Sequence, residues 1–173
     1  MRPPERARRW ALAFGLLCAA AAPHAEERTL QLASGEVLRY RTVDAGPGSA
    51  RATAEKLLRH LAAGEIEAAA QLSNAPQRRL EELAAYRSRV GAEEFKRVFA
   101  QYFSRDNRLV GEIAIDAHRL LVWNLGDAGH RLAGQYYVEV GGRFLMDDVP
   151  NETRLRLRRI LEACRSGEIR FSE

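Results

Sequence analysis

The stretch LVGEIAIDAHRLLVWNLGDAGHRLAGQYYVEVGGRFLM, residues 109–146, decides the fold. Four segments within it, 109–115, 120–125, 131–140 and 143–146, are rich in the β-branched and aromatic side chains that suit a pleated surface. The links Gly126-Asp127-Ala128-Gly129 and Gly141-Gly142 are turn formers too short for a crossover helix, so consecutive strands pair antiparallel. A turn or bulge is also expected near 117–119. Leu120 and Val122 there take over the strand parity that Glu112, Asp116 and His118 hold, and a strand buried on that face must be broken to allow it.

Upstream of this meander the apolar period lengthens from two to between three and four, the signature of helices. Ala54, Leu57, Leu58, Leu61 and Ala62 share one stripe of a helix that starts at Ala50 and stops at Gly64. Ile66, Ala69 and Ala70 begin a second, short helix that ends near Ser73-Asn74. Pro76 suits the first turn of a third, where its missing N–H costs nothing. Leu80, Leu83 and Ala84 continue that helix, Gly91 interrupts it, and Phe95, Val98, Phe99 and Tyr102 form an aromatic stripe expected to meet the sheet. Downstream, Asn151 is placed to cap a last helix over 152–164, with Gly167 beyond its end. Near the N-terminus, Leu30, Leu32, Leu38 and Tyr40 alternate around Ser34-Gly35 as a hairpin, and 44–49 reads as a connector. The expected class is α+β, with N-terminal helices covering one side of a curved antiparallel sheet. A single domain spans 50–173, preceded by the hairpin and connector at 26–49.

Residues 1–25 read as a cleaved signal peptide: Arg2, Arg6, Arg8 and Arg9 lead into an apolar run and then Pro23-His24-Ala25. The run is too short to span a bilayer, which takes roughly 20 apolar residues, so no transmembrane segment is expected after processing. Leu16-Leu17 ahead of Cys18 do not match a lipidation motif. The expected address is the periplasm. The chain carries 27 Lys+Arg against 23 Asp+Glu; four arginines and one glutamate lie in the leader, which leaves 23 against 22. A net of +1 offers no basic stripe for phosphates, and nucleic acid is not an expected partner. Of the two cysteines only Cys164 survives processing; it follows Leu157, Ile160 and Leu161 at helical spacing and reads as a packed thiol.

The run Ala54-Glu55-Lys56-Leu57-Leu58-Arg59-His60-Leu61-Ala62-Ala63-Gly64-Glu65-Ile66-Glu67-Ala68-Ala69-Ala70 resembles the opening of nuclear-transport-factor-2-like domains, also called cystatin-like. In that superfamily a first helix ends at a Gly-Asp or Gly-Glu step and a short second helix begins with an apolar residue, an acidic one and alanine. Gln135-Tyr136-Tyr137-Val138-Glu139-Val140-Gly141-Gly142-Arg143-Phe144 is similar to its closing hairpin. The resemblance covers roughly 51–148 and implies a cone-shaped domain with an apolar cavity. The N-terminal hairpin and the arginine-rich last helix depart from that pattern. The superfamily contains enzymes, binding proteins and dimerisation modules, so the fold alone selects none of them.

Glu112, Asp116 and His118 are the catalytic candidates, because one strand can present alternate residues to a cavity as an acid/base set; a solvated strand face is the simpler reading. Tyr86, Trp123 and Tyr136 are the ligand-binding candidates, as walls of an apolar pocket, and Asp106 is a further polar group that can line the cone. Tyr136 and Tyr137 take opposite faces of their strand, and Trp123 reads first as core. His60, His118 and His130 are dispersed without ligand spacing, and Asp147-Asp148 reads as a turn before Pro150 rather than a cation site, so no metal is expected. Neither a phosphate loop nor a nucleophile elbow is present, and no cofactor is implied. Arg154, Arg156, Arg158, Arg159 and Arg165 read as a solvated helix face, with docking to an anionic membrane or an acidic partner as the alternative. The leading expectation is a non-enzymatic binding domain for a small apolar ligand or an envelope protein. The alternatives are a cavity enzyme of isomerase or hydratase type and a subunit that homodimerises through an open sheet face.

Overall fold

The computed structural model describes residues 26–32, 35–43, 49–126 and 131–171. The leader, Ser34 of the first hairpin turn, residues 44–48 of the connector, and 127–130 with His130 lie outside the described residues. The order of elements is β1 (Glu26–Gln31), β2 (Val37–Val43), α1 (Ala50–Ala63), α2 (Ile66–Ala70), α3 (Pro76–Val90), α4 (Ala92–Ala100), a 3-10 turn (Gln101–Phe103), β3 (Asn107–Ile115), β4 (His118–Leu125), β5 (Arg131–Val140), β6 (Arg143–Met146) and α5 (Glu152–Ser166). The strands form one antiparallel sheet in sequence order, from β1 at one edge to β6 at the other. The N-terminal hairpin therefore belongs to the same sheet as the meander, which it joins through Arg41, Thr42 and Val43 of β2.

Local chemistry accounts for the boundaries. Gly64 takes a left-handed conformation (φ 81°) and donates its N–H to the carbonyls of the last turn of α1, a backbone state that penalises any residue with a Cβ. Gly91 (φ 87°) separates α3 from α4. Asn151 caps α5 by accepting the Arg154 N–H at 2.8 Å. A two-residue turn, Asp116-Ala117, joins β3 to β4, with Ile115 paired to His118.

The sheet is covered on both faces. Leu120 and Val122 of β4 point to α5 and pack with Leu38, Tyr40, Ile113, Leu157, Ile160, Leu161 and Cys164. Leu121, Trp123 and Leu125 point the other way and pack with Ala50, Ala54 and Leu58 of α1 and with Tyr137. The N-terminal helix α1 covers one face as expected, and α5 lies over the second face across β3, β4 and β5, so neither face is open there. The physical reason is visible in Leu120-Leu121-Val122-Trp123, which is apolar at both parities, as a strand buried on both faces must be. Each of these side chains is at most 6% exposed, and burial of each contributes on the order of 2 kcal/mol.

The aromatic stripe of α4 divides between two places. Tyr102, just beyond the helix, stacks edge-on against Trp123 with ring centroids 5.6 Å apart. Phe95 instead closes a cluster built mainly by the helices, with Leu57, Leu61, Ile66, Ala69 and Leu83 and with Met146 of β6 at its edge, and Phe99 touches both groups. The sheet thus takes only the C-terminal end of the stripe expected to meet it.

Candidate functional site

A two-residue turn reverses strand parity, so Glu112 and His118, of equal parity on either side of it, lie on opposite faces, and this separates the acid/base set. Glu112 lies on the α1 side of the sheet, His118 on the α5 side, and Asp116 is exposed in the turn between them (φ 51°). They do not converge. Glu112 is 3% exposed; its Oε1 lies 3.6 Å from Arg119 Nε, and its Oε2 is buried without a hydrogen-bond donor. Arg119 also donates to the carbonyls of Asp116 and His118, both at 2.9 Å, and sits over the Phe144 ring. Burial works against both charges, raising the Glu112 carboxyl above its usual range and lowering the Arg119 guanidinium.

The space between helices and sheet is filled by Leu58, Phe99, Tyr102, Leu121, Trp123 and Tyr137. Trp123, 6% exposed, donates its indole N–H to Gln135 Oε1 at 3.0 Å, as a buried indole must to avoid an orphaned donor. Tyr86 packs on Phe95 and Phe99 within the helices. Tyr136 faces α5 with the Arg154 guanidinium over its ring at 5.4 Å, while Tyr137 is fully buried on the other face. The three ligand-binding candidates Tyr86, Trp123 and Tyr136 therefore do not share one hollow.

Asp147 and Asp148 are not a solvated turn. Both are buried, and they clasp the α2–α3 loop to the start of α5. Asp147 accepts from Asn74 Nδ2 at 2.9 Å, Asn151 Nδ2 at 2.9 Å and His118 Nδ1 at 3.1 Å. Asp148 accepts from Ser73 Oγ at 2.6 Å, from Arg79 Nε at 2.7 Å and from the second arm of the same guanidinium. Such a bidentate, charge-assisted pair is fully engaged internally. Among the described residues no group of three or more His, Cys, Asp or Glu side chains is placed to hold a metal ion.

An open groove of about 740 Å³ lies on the α5 side, lined by Val110, Leu132, Ile169 and Phe171 together with Arg108, Arg165 and Arg170. A β-bulge between Leu109 and Gly111 builds one wall: Leu109 packs toward α1, and the extra residue puts Val110 on the α5 side. Gly111, Val122 and Gly134 form one row across three strands on this face. A Cβ on Gly111 would lie 2.1 Å from the Phe171 ring, and one on Gly134 would lie 2.5 Å from Leu161. The two glycines let the chain after α5 and α5 itself settle against the sheet. Glycine inside a strand pattern signals such close approach and was the available clue to this surface. The groove's remaining lining comes from residues far apart in the chain, which no local pattern announces. Cys164 also borders it; burial pushes its thiol up to about 11, so it is a packing group rather than a nucleophile.

Comparison with protein-family models, with curated proteins and with solved structures found no match to this chain.

Proposed function

We propose that this chain is an exported, non-enzymatic binding domain that takes a small apolar molecule with an anionic end in the groove beside α5. The observation that carries this reading is the groove itself: about 740 Å³, with apolar side chains and arginines both in its lining, within the range of small-molecule sites. The filled space between helices and sheet supports moving the ligand from the cone interior to this face. Export to the periplasm rests on the arginine-led leader, and no helix among the described residues is long and apolar enough to cross a membrane. The nuclear-transport-factor-2-like assignment is part of the same proposal. It is supported by α1 ending at Gly64-Glu65, the short α2 and the antiparallel meander that follows the helices.

The test is titration of the mature protein with anilinonaphthalene sulfonate, an apolar probe with one negative charge, followed by competition with dodecanoate. Fluorescence enhancement that dodecanoate reverses, and that Leu132→Glu weakens about tenfold, is the expected result. Equal binding by Leu132→Glu and the parent, with the variant folded by circular dichroism, overturns the reading.

A further inference from the structure

A second surface carries charge that the protein itself does not neutralise. Where α3 and the first turns of α5 meet, Arg78, Pro150, Asn151, Arg154, Leu155 and Arg158 line a notch of about 400 Å³. Several surface arginines elsewhere have carboxylate partners, among them Arg51 with Glu55, Arg97 with Glu94, Arg159 with Glu36 and Arg165 with Glu162. At the notch, Arg78 holds Glu82, whereas Arg154 and Arg158 have no carboxylate within ion-pair distance among the described residues. Arg154 is held in place over the Tyr136 ring, which orders a cation without discharging it. Arg154 and Arg158 stand one helical turn apart, and Leu155 beside them is 52% exposed; Val149, next to Pro150, is 45% exposed. A nearby hollow lined by Arg39, Arg41 and Arg156 differs in this respect, because Glu27 and Asp116 lie in it.

We propose that this notch docks a short acidic segment of a partner protein, one carrying a leucine-like side chain among its carboxylates. The notch is complementary to such a segment in two ways at once. Unpaired guanidiniums select carboxylates, and the exposed Leu155 and Val149 offer apolar contact that a free anion does not use. A membrane surface meets the charge but is too flat to enter a concavity of this size, so the peptide is the occupant that uses both the notch and its rim. This inference concerns a different face from the groove and does not depend on it.

The experiment uses the mature protein and a fluorescein-labelled peptide of glutamates and leucines, read by fluorescence anisotropy and by amide shift mapping. A lysine-for-glutamate counterpart and phosphatidylglycerol vesicles run in parallel. The expected result is saturable binding of the acidic peptide alone, with shifts centred on Leu155. Binding should weaken about tenfold in Arg154→Glu/Arg158→Glu, and Arg39→Glu/Arg156→Glu should leave it unchanged. Leu155→Ser, a change that leaves every charge in place, should weaken it as well. The proposal is overturned if the peptide fails to bind, if charge reversal at Arg154 and Arg158 has no effect, or if only vesicles bind in a manner dependent on these two arginines.

Discussion

Glu112 shows how one side chain can be legible as chemistry and still be misplaced by strand parity. Its carboxylate is where alternation expects a strand residue, but His118, read beside it, lies across the sheet because the turn is two residues long. Burial raises the Glu112 carboxyl, so the folded chain keeps this proton to a higher pH than the unfolded chain does. Stability therefore falls as pH rises from the ordinary carboxylate range to that raised value and stays reduced above it. Glu112→Gln removes the penalty while Arg119 keeps its two carbonyl acceptors and the Phe144 ring. The expected outcome is a higher melting temperature than the parent at neutral pH, converging with the parent in acid. A melting temperature lowered at neutral pH would show that the attraction between Glu112 and Arg119 outweighs their burial.

Among elements, α5 is the one whose role differs most from its sequence reading. Its cap, its apolar stripe and its terminal Gly167 follow from local pattern, and the helix forms where they place it. Beyond the packing of Leu157, Ile160 and Leu161, its start is fixed by the clasp at Asp147 and Asp148, whose partners Ser73 and Asn74 lie more than 70 residues earlier. Asp148→Ala leaves Arg79 and Ser73 without their acceptor in a buried setting and should cost about 3 to 5 kcal/mol. Asn151→Ala removes the cap and one donor to Asp147 and should cost about 1 to 2 kcal/mol. Chemical denaturation of the two variants at neutral pH checks the order; a cost for Asp148→Ala no larger than that for Asn151→Ala would reduce the clasp to an ordinary turn.

At the scale of the whole molecule the sheet is the middle of three layers, and the row Gly111, Val122, Gly134 sets how closely the α5 layer approaches. Gly134→Val places branched carbon where Leu161 and Leu120 already lie, and overpacking of this kind costs about 1 to 3 kcal/mol. The urea midpoint should fall accordingly, and an unchanged midpoint would mean that α5 moves away freely. Element positions were legible in the sequence because capping, glycine breaks and apolar periods act between neighbours. Gly64, Gly91, Pro76 and Asn151 each mark a boundary where the chain does turn or start. The α+β class follows from the order of those elements. The parting of Glu112 and His118 follows from the local turn, whereas it took the tertiary structure to show that α5 covers the second sheet face, that the α1-side interior is filled, and that the groove lies beside the last helix. Each of these depends on contacts between residues far apart in the chain, whose energies are settled by which surfaces meet rather than by any local spacing.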